Sequence, residues 1–272
     1  DSLRVAVYGH RKRTEPITAE RLDEVSLDRM YEIYKERFSD LSGMHLIVTG
    51  DIRDEDFESL ICQYVASLPG KKNSKESHLP GKYDLDVQRG QVTKVFHANM
   101  ETPSALTDVL YTADVPYTAD NDLKLDVLSQ IMRAVYTETV REEKGGTYSV
   151  SVDGQFWKYP TEGCSMTVNF RCDPKKYDEL LPVIDEQLQR MAKEGPTEEQ
   201  LKNVKEYERK NYDRAVLTNG WWEYVRYHEL RDGIDFEKDY LKKVDSLTPN
   251  DIRDFCKQLI AAKNRIQVTM KP

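Results

Sequence analysis

The sequence is poor in the residues that bind metal ions. Its 272 residues include only five histidines and four cysteines. The histidines are His10, His45, His78, His97 and His228. They form neither a His-Glu-x-x-His nor a His-x-x-Glu-His motif. A hydrolytic zinc site needs two histidines about one helical turn apart together with a carboxylate. We therefore expect no metal site in this chain.

The cysteines argue against a second kind of metal site. They form no C-x-x-C pair, so structural zinc is not expected. Cys164 and Cys172 lie an even number of residues apart in one alternating run, which places them on one face of one strand, too distant to bridge. We expect the cysteines to be buried free thiols.

Charge and hydropathy exclude further classes of protein. The 40 basic and 48 acidic residues are interspersed and leave a formal charge of −8, which argues against nucleic acid as a partner. No run approaches the roughly 20 apolar residues that a membrane-spanning helix needs. A G-x-S-x-G elbow, a P-loop and a G-x-G-x-x-G motif are all missing from the sequence.

The composition is nevertheless that of a folded protein. Apolar residues make up 39% of the chain and aromatic residues 10%, enough to build a core. The first residues, Asp1–Arg4, contain neither an initiator Met nor the apolar core of a signal peptide. We therefore expect the chain to begin inside a longer precursor.

Hydrophobic periodicity divides the chain into two parts. Residues 1–70 contain an apolar helical stripe from Leu27 to Phe38, a β-rich run from His45 to Thr49 and a second helical stripe from Phe57 to Leu68. Residues 71–89 are polar and lack a sustained period, so we expect a linker there.

Residues 90–272 are predicted to form a complete domain. Two strand-like runs, Val92–Ala98 and Leu106–Thr112, precede a long helix from Asp120 to about Glu143. Two alternating strands follow it, then several helices and a last strand, Arg265–Met270. Helices grouped after hairpins indicate an α+β fold, with helices packed on a mostly antiparallel sheet.

One short segment, from Arg141 to Tyr148, carries residues that can hold a peptide. Arg141 can donate hydrogen bonds to backbone carbonyls or a carboxylate, and the Tyr148 hydroxyl can donate to a carbonyl oxygen that gains negative charge. Spacing alone favours the alternative in which both residues have structural roles. In that alternative Arg141 complements the helix dipole, and Tyr148 packs in the core beside Val150 and Val152.

A group of aromatic residues further along the chain has two interpretations. Its members are Tyr207, Tyr212, Trp221, Trp222, Tyr224 and Tyr227. Such rings are favoured at recognition surfaces, but more often they pack helices together. We expect a helix-packing core and keep a peptide groove as the alternative.

Around Arg141 and Tyr148 the sequence resembles the pitrilysin/insulinase family of zinc metallopeptidases, especially its bacterial zinc proteases. Leu125–Val150 is similar to that family's long helix, Arg-Glu, glycine turn and Tyr-Ser-Val strand. Two further segments resemble the family's "strand, Gly-Asp, helix, Leu-Pro" pattern and its Gly-x-Thr-x-Glu-x-Leu helix start. They are Ile47–Ile52 with Tyr64–Pro69, and Gly195–Leu201. The segments cover most of the chain and follow the family's order.

The resemblance implies a fold and two site residues. In that family four related α+β domains of metallohydrolase type form two halves that close around a peptide, and only the first domain binds zinc. Residues 1–70 then correspond to the end of the third domain and residues 90–272 to the fourth. Arg141 matches an arginine that anchors the substrate backbone, and Tyr148 matches a tyrosine that helps stabilise the tetrahedral intermediate.

The resemblance also implies the cofactor and the partners. Zinc belongs to a missing N-terminal half, and none is expected in this chain. The partners are a peptide substrate and the zinc-bearing half, either on the same polypeptide or as a separate subunit. This chain alone is therefore not expected to be catalytic. Of the bacterial compartments, the resemblance favours the periplasm slightly over the cytoplasm.

Two other hypotheses stand beside this one. In the first, the chain is a non-catalytic partner or scaffold subunit of the same fold. In the second, it is an unrelated peptide-binding module. A His-x-x-Glu-His motif upstream in the same reading frame would favour the enzyme fragment, whereas its absence there would favour the partner subunit.

Overall fold

The computed structural model groups the chain into two compact units. The residues that it describes are 1–11, 14–52, 54–70, 87–143 and 147–272. The first unit comprises residues 1–15, 80–213 and 236–272, and the second comprises residues 16–79 and 214–235.

The first unit is built on a five-stranded sheet. Its strands are β1 (Gln91–His97), β2 (Ala105–Ala113), β3 (Thr147–Trp157), β4 (Gly163–Cys172) and β5 (Asn264–Lys271). Their order across the sheet is β1-β5-β2-β4-β3. The pair β1–β5 is parallel and the other three pairs are antiparallel. The predicted α+β fold with a mostly antiparallel sheet is confirmed.

Ten α-helices occur within the described residues. They are α1 (Ser2–Tyr8), α2 (Ala19–Asp23), α3 (Leu27–Phe38), α4 (Asp54–Tyr64), α5 (Ala119–Tyr136), α6 (Tyr177–Glu194), α7 (Glu198–Ala215), α8 (Asn219–Asp232), α9 (Tyr240–Ser246) and α10 (Pro249–Ala261). Helices α2, α3, α4 and α8 belong to the second unit. None of these ten helices is long and apolar enough to cross a membrane.

Local sequence signals explain where several helices begin. Thr118 caps α5 by accepting a hydrogen bond from the amide of Asn121 at 3.1 Å. At the start of α10, Thr248 and Asp251 bond reciprocally, with a proline at the first helical position. Such caps satisfy amides that would otherwise lack partners at a helix N-terminus.

The core of the first unit lies between the sheet and helices α5, α6 and α10, which also pack against one another. Fully buried residues alternate along β4, as the sequence pattern predicts. Three of the four cysteines, including Cys164 and Cys172 on β4, are buried free thiols, which confirms the expectation for them. Cys62 is exposed, so the expectation is wrong for that residue.

A polar network fastens α6 to the last strand of the sheet. The carboxylate of Asp185 on α6 accepts two hydrogen bonds from the guanidinium of Arg265 on β5, at 2.8 and 2.9 Å. It also accepts one from the hydroxyl of Tyr111 on β2, at 2.6 Å. Burial, together with this proximity to a carboxylate, raises the pKa of Tyr111. Three elements therefore meet at one carboxylate.

The network continues along β5. The amide of Gln267 accepts a hydrogen bond from Arg265 at 2.9 Å and donates one to the hydroxyl of Tyr177 at 2.7 Å. The Tyr177 hydroxyl lies 3.1 Å from that of Thr269, which in turn lies 3.2 Å from the hydroxyl of Thr107. The buried polar groups of this face are thus satisfied by one another, as burial requires.

The second unit differs from the sequence-based expectation at its predicted strand. Residues 45–49 form no regular strand, and within the described residues no strand pairs with them. A β-strand needs a neighbour for its backbone hydrogen bonds, and apolar β-rich composition does not supply one. The predicted order helix, strand, helix is therefore corrected to helix, irregular segment, helix.

Helix α3 exposes its apolar stripe. None of its residues, all of which are described, is buried. The large apolar side chains of α3 that are exposed are Leu27, Met30, Tyr31, Ile33, Tyr34 and Phe38. An amphipathic helix ordinarily gains its stability by burying that stripe. Among the described residues, no apolar surface therefore covers the stripe of α3.

Packing units and chain segments do not follow the same boundaries. Residues 1–15 group with the sheet, where Ala6 and Val7 of α1 pack on Ile266 and Val268 of β5. The sequence assigns them instead to the part that ends at residue 70. Residues 71–86 of the expected linker lie outside the described residues.

Loss of the carboxylate at Asp185 should destabilise the first unit. Asp185→Ala leaves the guanidinium of Arg265, whose side chain is 15% exposed, without its partner. Because an unpaired buried charge is costly, and because Asp185 itself is partly exposed, we expect a loss of about 1–3 kcal/mol in urea unfolding. Asp245→Ala, which breaks an exposed pair with Arg209, should cost less than about 1 kcal/mol. Equal losses in both variants would contradict the role given to the network.

Candidate functional site

The helix that leads to Arg141 changes its geometry before reaching it. The α-helical part of the predicted helix ends at Tyr136, and residues Thr137–Glu143 continue as a π-helix. Two threonine hydroxyls donate to backbone carbonyls one turn back, Thr137 to Arg133 at 2.7 Å and Thr139 to Val135 at 2.8 Å. Such bonds compete with the α-helical pattern. The sequence predicts one regular helix to about residue 143, and that prediction is wrong for its last seven residues.

This junction is anchored in the core. Tyr136 is fully buried, and its hydroxyl donates to the carbonyl of Ile184 on α6 at 2.9 Å. Val140, within the π-helical segment, is also fully buried. The segment packs against β3 and α6. The backbone that carries Arg141 is therefore held from two sides, although the side chain of Arg141 lies outside the described residues.

Tyr148 lies at an irregularity in strand β3. Thr147 pairs with Cys172 and Ser149 pairs with Arg171, so Tyr148 is an extra residue in the register between β3 and β4. An extra residue of this kind is a β-bulge, and it interrupts the strict alternation of faces along a strand. Because of the bulge, alternation along β3 no longer places Tyr148 on the face of Val150 and Val152. The side chain of Tyr148 lies outside the described residues.

Helix α5 approaches β3 closely at a glycine. A Cβ atom on Gly154 would lie 2.7 Å from both Leu125 Cγ and Ser129 Oγ of α5. These distances are too short for real atoms, so only glycine permits this contact.

Arg133 forms a second link between α5 and β3. Its guanidinium donates to the backbone carbonyl of Val152 at 2.6 Å and lies 3.6 Å from the carboxylate of Asp153. Because β3 is an edge strand, carbonyls on its outer side have no neighbouring strand to bond. Arg133 is not among the site residues predicted from the sequence.

A polar groove runs beside this link, between α5, the π-helical segment and α7. Its volume is about 820 Å³, and its lining includes Asp126, Gln130, Arg133, Glu138, Tyr207 and Glu208. Along α5 and into the first π-helical residue, the groove residues Asp126, Gln130, Arg133 and Thr137 recur at intervals of four, three and four. That spacing places them on one helical face, so the sequence contained a signal for the groove.

Acidic side chains crowd the base of the groove. Glu208 is 3% exposed, and it accepts hydrogen bonds from Gln130 and from the hydroxyl of Tyr240. Gln130 also donates to Asp126 at 2.8 Å. Half-buried Asp122 lies on α5 one turn before Asp126, and burial together with the charge of Asp126 raises the pKa of Asp122 to about 7. The neutral amide of Gln130 therefore joins the carboxylates of Asp126 and Glu208.

The aromatic group is divided between the two units. Tyr207 and Tyr212 belong to the first unit, where Tyr212 stacks on Tyr240 with ring centroids 5.2 Å apart. Trp221 and Trp222, with Tyr224 and Tyr227, belong to the second unit. Four members of the group are exposed, which contradicts the expected core for them, and they are Tyr207, Trp222, Tyr224 and Tyr227.

The histidines and acids of the described ranges form no metal-binding group. No three histidine, cysteine, aspartate or glutamate side chains there lie close enough together to hold an ion. His228 instead pairs with buried Asp232, Nδ1 to carboxylate oxygen at 2.8 Å. Burial disfavours the charge of Asp232, but hydrogen bonds from Arg231 and His228 outweigh it and lower the pKa of this carboxyl.

Comparison with known families identifies the chain's relatives. A family model described as the peptidase M16 inactive domain matches residues 24–207. The chain belongs to this family. The resemblance to zinc metallopeptidases of the pitrilysin/insulinase type is thereby confirmed. No group of the described side chains could hold the zinc ion that the name of these peptidases implies.

Named relatives of this M16 chain are zinc proteases. It is 22% identical over 230 residues to a zinc protease PQQL-like protein of Arabidopsis thaliana, over 79% of this chain and 24% of that protein. The structure of the periplasmic protease PqqL from Escherichia coli matches it with a TM-score of 0.81 and 16% identity, over 100% of this chain and 30% of that chain. This chain therefore spans less than a third of the length of these relatives.

The fold is also similar to a structure of the first half of the same Escherichia coli protease. That match has a TM-score of 0.62 and 13% identity, and it covers 82% of this chain and 50% of the other. At this identity the likeness concerns the fold alone. It shows that the first half of that protease contains a similar fold.

The raised pKa of Asp122 predicts a pH-dependent stability. The usual pKa of 3.8 rises to about 7 in the folded chain, so between these values the folded state binds more protons than the unfolded state. Stability should therefore decrease as the pH rises through this window. Asp122→Asn removes the loss. Relative to the unchanged chain, its free energy of unfolding should increase by about 1 kcal/mol or more between pH 4 and pH 8.

Asp120→Asn is the matched control for this prediction. Asp120 lies in the same first turn of α5, so the change has a similar effect on the helix dipole. Its side chain is 65% exposed and pairs with Lys243 at 3.2 Å. Urea unfolding of both variants across the pH range measures the difference. Parallel curves for Asp122→Asn and the unchanged chain would contradict the assignment.

Proposed function

We propose that this chain is the substrate-binding region of a zinc endopeptidase and that it is inactive alone. The observation that carries the proposal is the position of two residues. Arg141 lies on a π-helical segment and Tyr148 at a β-bulge, and the segment packs against the strand that contains the bulge. Both irregularities are frequent at functional sites, where they redirect side chains.

The two residues have complementary roles in this proposal. Arg141 donates hydrogen bonds to the backbone carbonyls of a bound peptide and so fixes its position. Tyr148 donates its hydroxyl hydrogen bond to the carbonyl oxygen that becomes negatively charged when the peptide bond is attacked. Neither residue supplies the nucleophile. The reaction therefore requires a second component.

That second component is a zinc-bearing half, on the same polypeptide or as a separate subunit. Its existence is supported by the length of the relatives, of which this chain spans 24% and 30%. The similarity to the first half of a protease suggests that the other half has a related fold. Zinc supplies Lewis-acid chemistry to the family's named proteases, and we assign its ligands to that half.

We also propose how the chain divides. Residues 1–70 form the end of a preceding related domain, residues 71–89 form a linker and residues 90–272 form the C-terminal domain. The exposed apolar stripe of α3 supports the first part, since such a stripe needs a covering surface. The remainder of the preceding domain would provide that surface.

A partner or scaffold subunit without catalytic role is the alternative. It is favoured by the absence of a metal-binding group among the described residues and by the family's description as an inactive domain. In that case Arg141 and Tyr148 would stabilise the fold and have no direct role in turnover.

Substitution of the two residues in the complete enzyme tests the proposal. Tyr148→Phe removes one hydrogen bond to the developing charge, so we expect kcat to fall at least about tenfold. Arg141→Ala removes the anchor of the peptide backbone and should lower kcat/KM by a similar factor. Peptide hydrolysis with purified variants measures both.

Tyr159→Phe is the control for the tyrosine. This residue lies between β3 and β4, is 40% exposed and loses the same hydroxyl. Its turnover should stay within about twofold of the unchanged enzyme. Unchanged turnover of Tyr148→Phe and Arg141→Ala, with both variants folded, would return both residues to a structural role.

Zinc content separates the chain from its proposed other half. The chain alone should retain no stoichiometric zinc after dialysis and cleave no peptide, because its histidines lie far apart in sequence. Atomic absorption and a chelator-controlled peptidase assay measure both properties. Bound zinc with chelator-sensitive cleavage by this chain would contradict the proposal. Restored cleavage when a zinc-bearing half is added would argue against the scaffold alternative.

A further inference from the structure

The separation between Arg141 and Tyr148 depends on how α5 sits on β3. The π-helical segment that carries Arg141 continues α5 without a break. Tyr148 precedes Val152 on β3 by four residues, or about 13 Å along a strand. Any sliding of the helix along the strand would move one residue relative to the other. A contact that prevents sliding would therefore preserve the proposed site.

Apolar packing restricts that register, but it is less sensitive to small shifts than a hydrogen bond is. The close approach at Gly154 sets how near α5 lies to the strand. Packing of this kind is non-directional, and it rewards burial more than one particular alignment. A hydrogen bond to a backbone carbonyl, by contrast, weakens steeply when its geometry changes.

Arg133 provides such a directional link. Its charged guanidinium donates to the carbonyl of Val152 at 2.6 Å, and the carboxylate of Asp153 lies 3.6 Å from the same nitrogen. Hydrogen bonds from charged donors are about twice as strong as neutral ones. The bond therefore joins α5 to the main chain of β3, whose position the sheet determines.

The same residue is linked to the start of the π-helical segment. The backbone carbonyl of Arg133 accepts the hydrogen bond of the Thr137 hydroxyl at 2.7 Å, at the first π-helical residue. Arg133 thus contacts β3 through its side chain and the Arg141-bearing segment through its main chain. No other charged side chain of α5 forms a hydrogen bond with the part of β3 whose side chains the structure describes, residues 150–157.

We propose that Arg133 is a positioning residue, which fixes the register of α5 on β3 and so the separation of Arg141 and Tyr148. The proposal rests on the proposed function, because it gives Arg133 a role only through those two residues. Arg133 itself does not contact the substrate. It acts by holding the two substrate-binding residues at their working distance.

Substitution in the complete enzyme should reveal this role. Arg133→Ala should lower kcat/KM for peptide hydrolysis at least about tenfold, because misplacement of binding residues by about 1 Å is costly. Arg133→Lys should recover part of the loss, since an ammonium group can still donate to the Val152 carbonyl. Arg190→Ala is the control, because Arg190 bonds only within α6, to Glu194, and it should change kcat/KM less than about twofold.

A second background separates positioning from folding. In an enzyme that already carries Arg141→Ala and Tyr148→Phe, there is no pair left to position, so Arg133→Ala should change kcat/KM by less than about twofold. An equal loss in both backgrounds would overturn the proposal, since Arg133 would then act through stability alone. No loss in the otherwise unchanged enzyme would also overturn it.

The outcomes also distinguish this inference from the proposed function. If Arg141→Ala and Tyr148→Phe leave turnover unchanged, the proposed function fails, and the positioning role fails with it. If those two substitutions lower turnover while Arg133→Ala does not, the positioning role alone fails. Thermal unfolding of every variant shows that the compared enzymes are folded.

Discussion

The sheet of the first unit depends on its last strand. β5 lies between β1 and β2, so it pairs in parallel on one side and antiparallel on the other. Without β5, β1 would have no neighbour in the sheet. The same strand carries Arg265, Gln267 and Thr269, whose side chains form the polar network beneath α6. Buried polar groups of this kind are stable only when all of them find partners. The eight residues of β5 therefore determine both the sheet and the position of α6 on it.

Most of the first unit could be predicted from the sequence because its signals are local. Alternation along β4 identified a half-buried strand, since residues two apart share a face. Likewise, Thr197 and Gln200 bond reciprocally at the start of α7, as their spacing predicts. Several features that escaped prediction are set by distant neighbours. The run from His45 to Thr49 has the composition of a strand, but pairing depends on an edge that composition does not provide. The link from Arg133 to β3 is likewise a tertiary contact, whereas periodicity in the sequence indicates only which face of a helix a residue occupies.

The two irregular segments at the site have causes of different kinds. At the end of α5, the hydroxyls of Thr137 and Thr139 bond to carbonyls one turn back, and a sequence offers that option wherever threonine follows a helix. The bulge at Tyr148 depends on register with β4, which is fixed by how many residues separate paired positions on two strands. A single strand pattern contains no information on that count. For this reason the residues of the proposed site could be predicted from the sequence, but the backbone conformation at each of them could not.

The bulge changes the balance between the two interpretations of Tyr148. Its assignment to the core rests on sharing a face with Val150 and Val152, and that premise requires unbroken alternation from residue 148 onward. The register shift removes the premise without assigning a new role. For Arg141 the alternative is unaffected, because a cation near the end of a helix complements the dipole whether the last turns are α or π. A purely structural role is therefore better supported for Arg141 than for Tyr148. Arg133 joins α5 to the strand that carries this bulge by a charged hydrogen bond, which adds a directional contact to the close approach at Gly154.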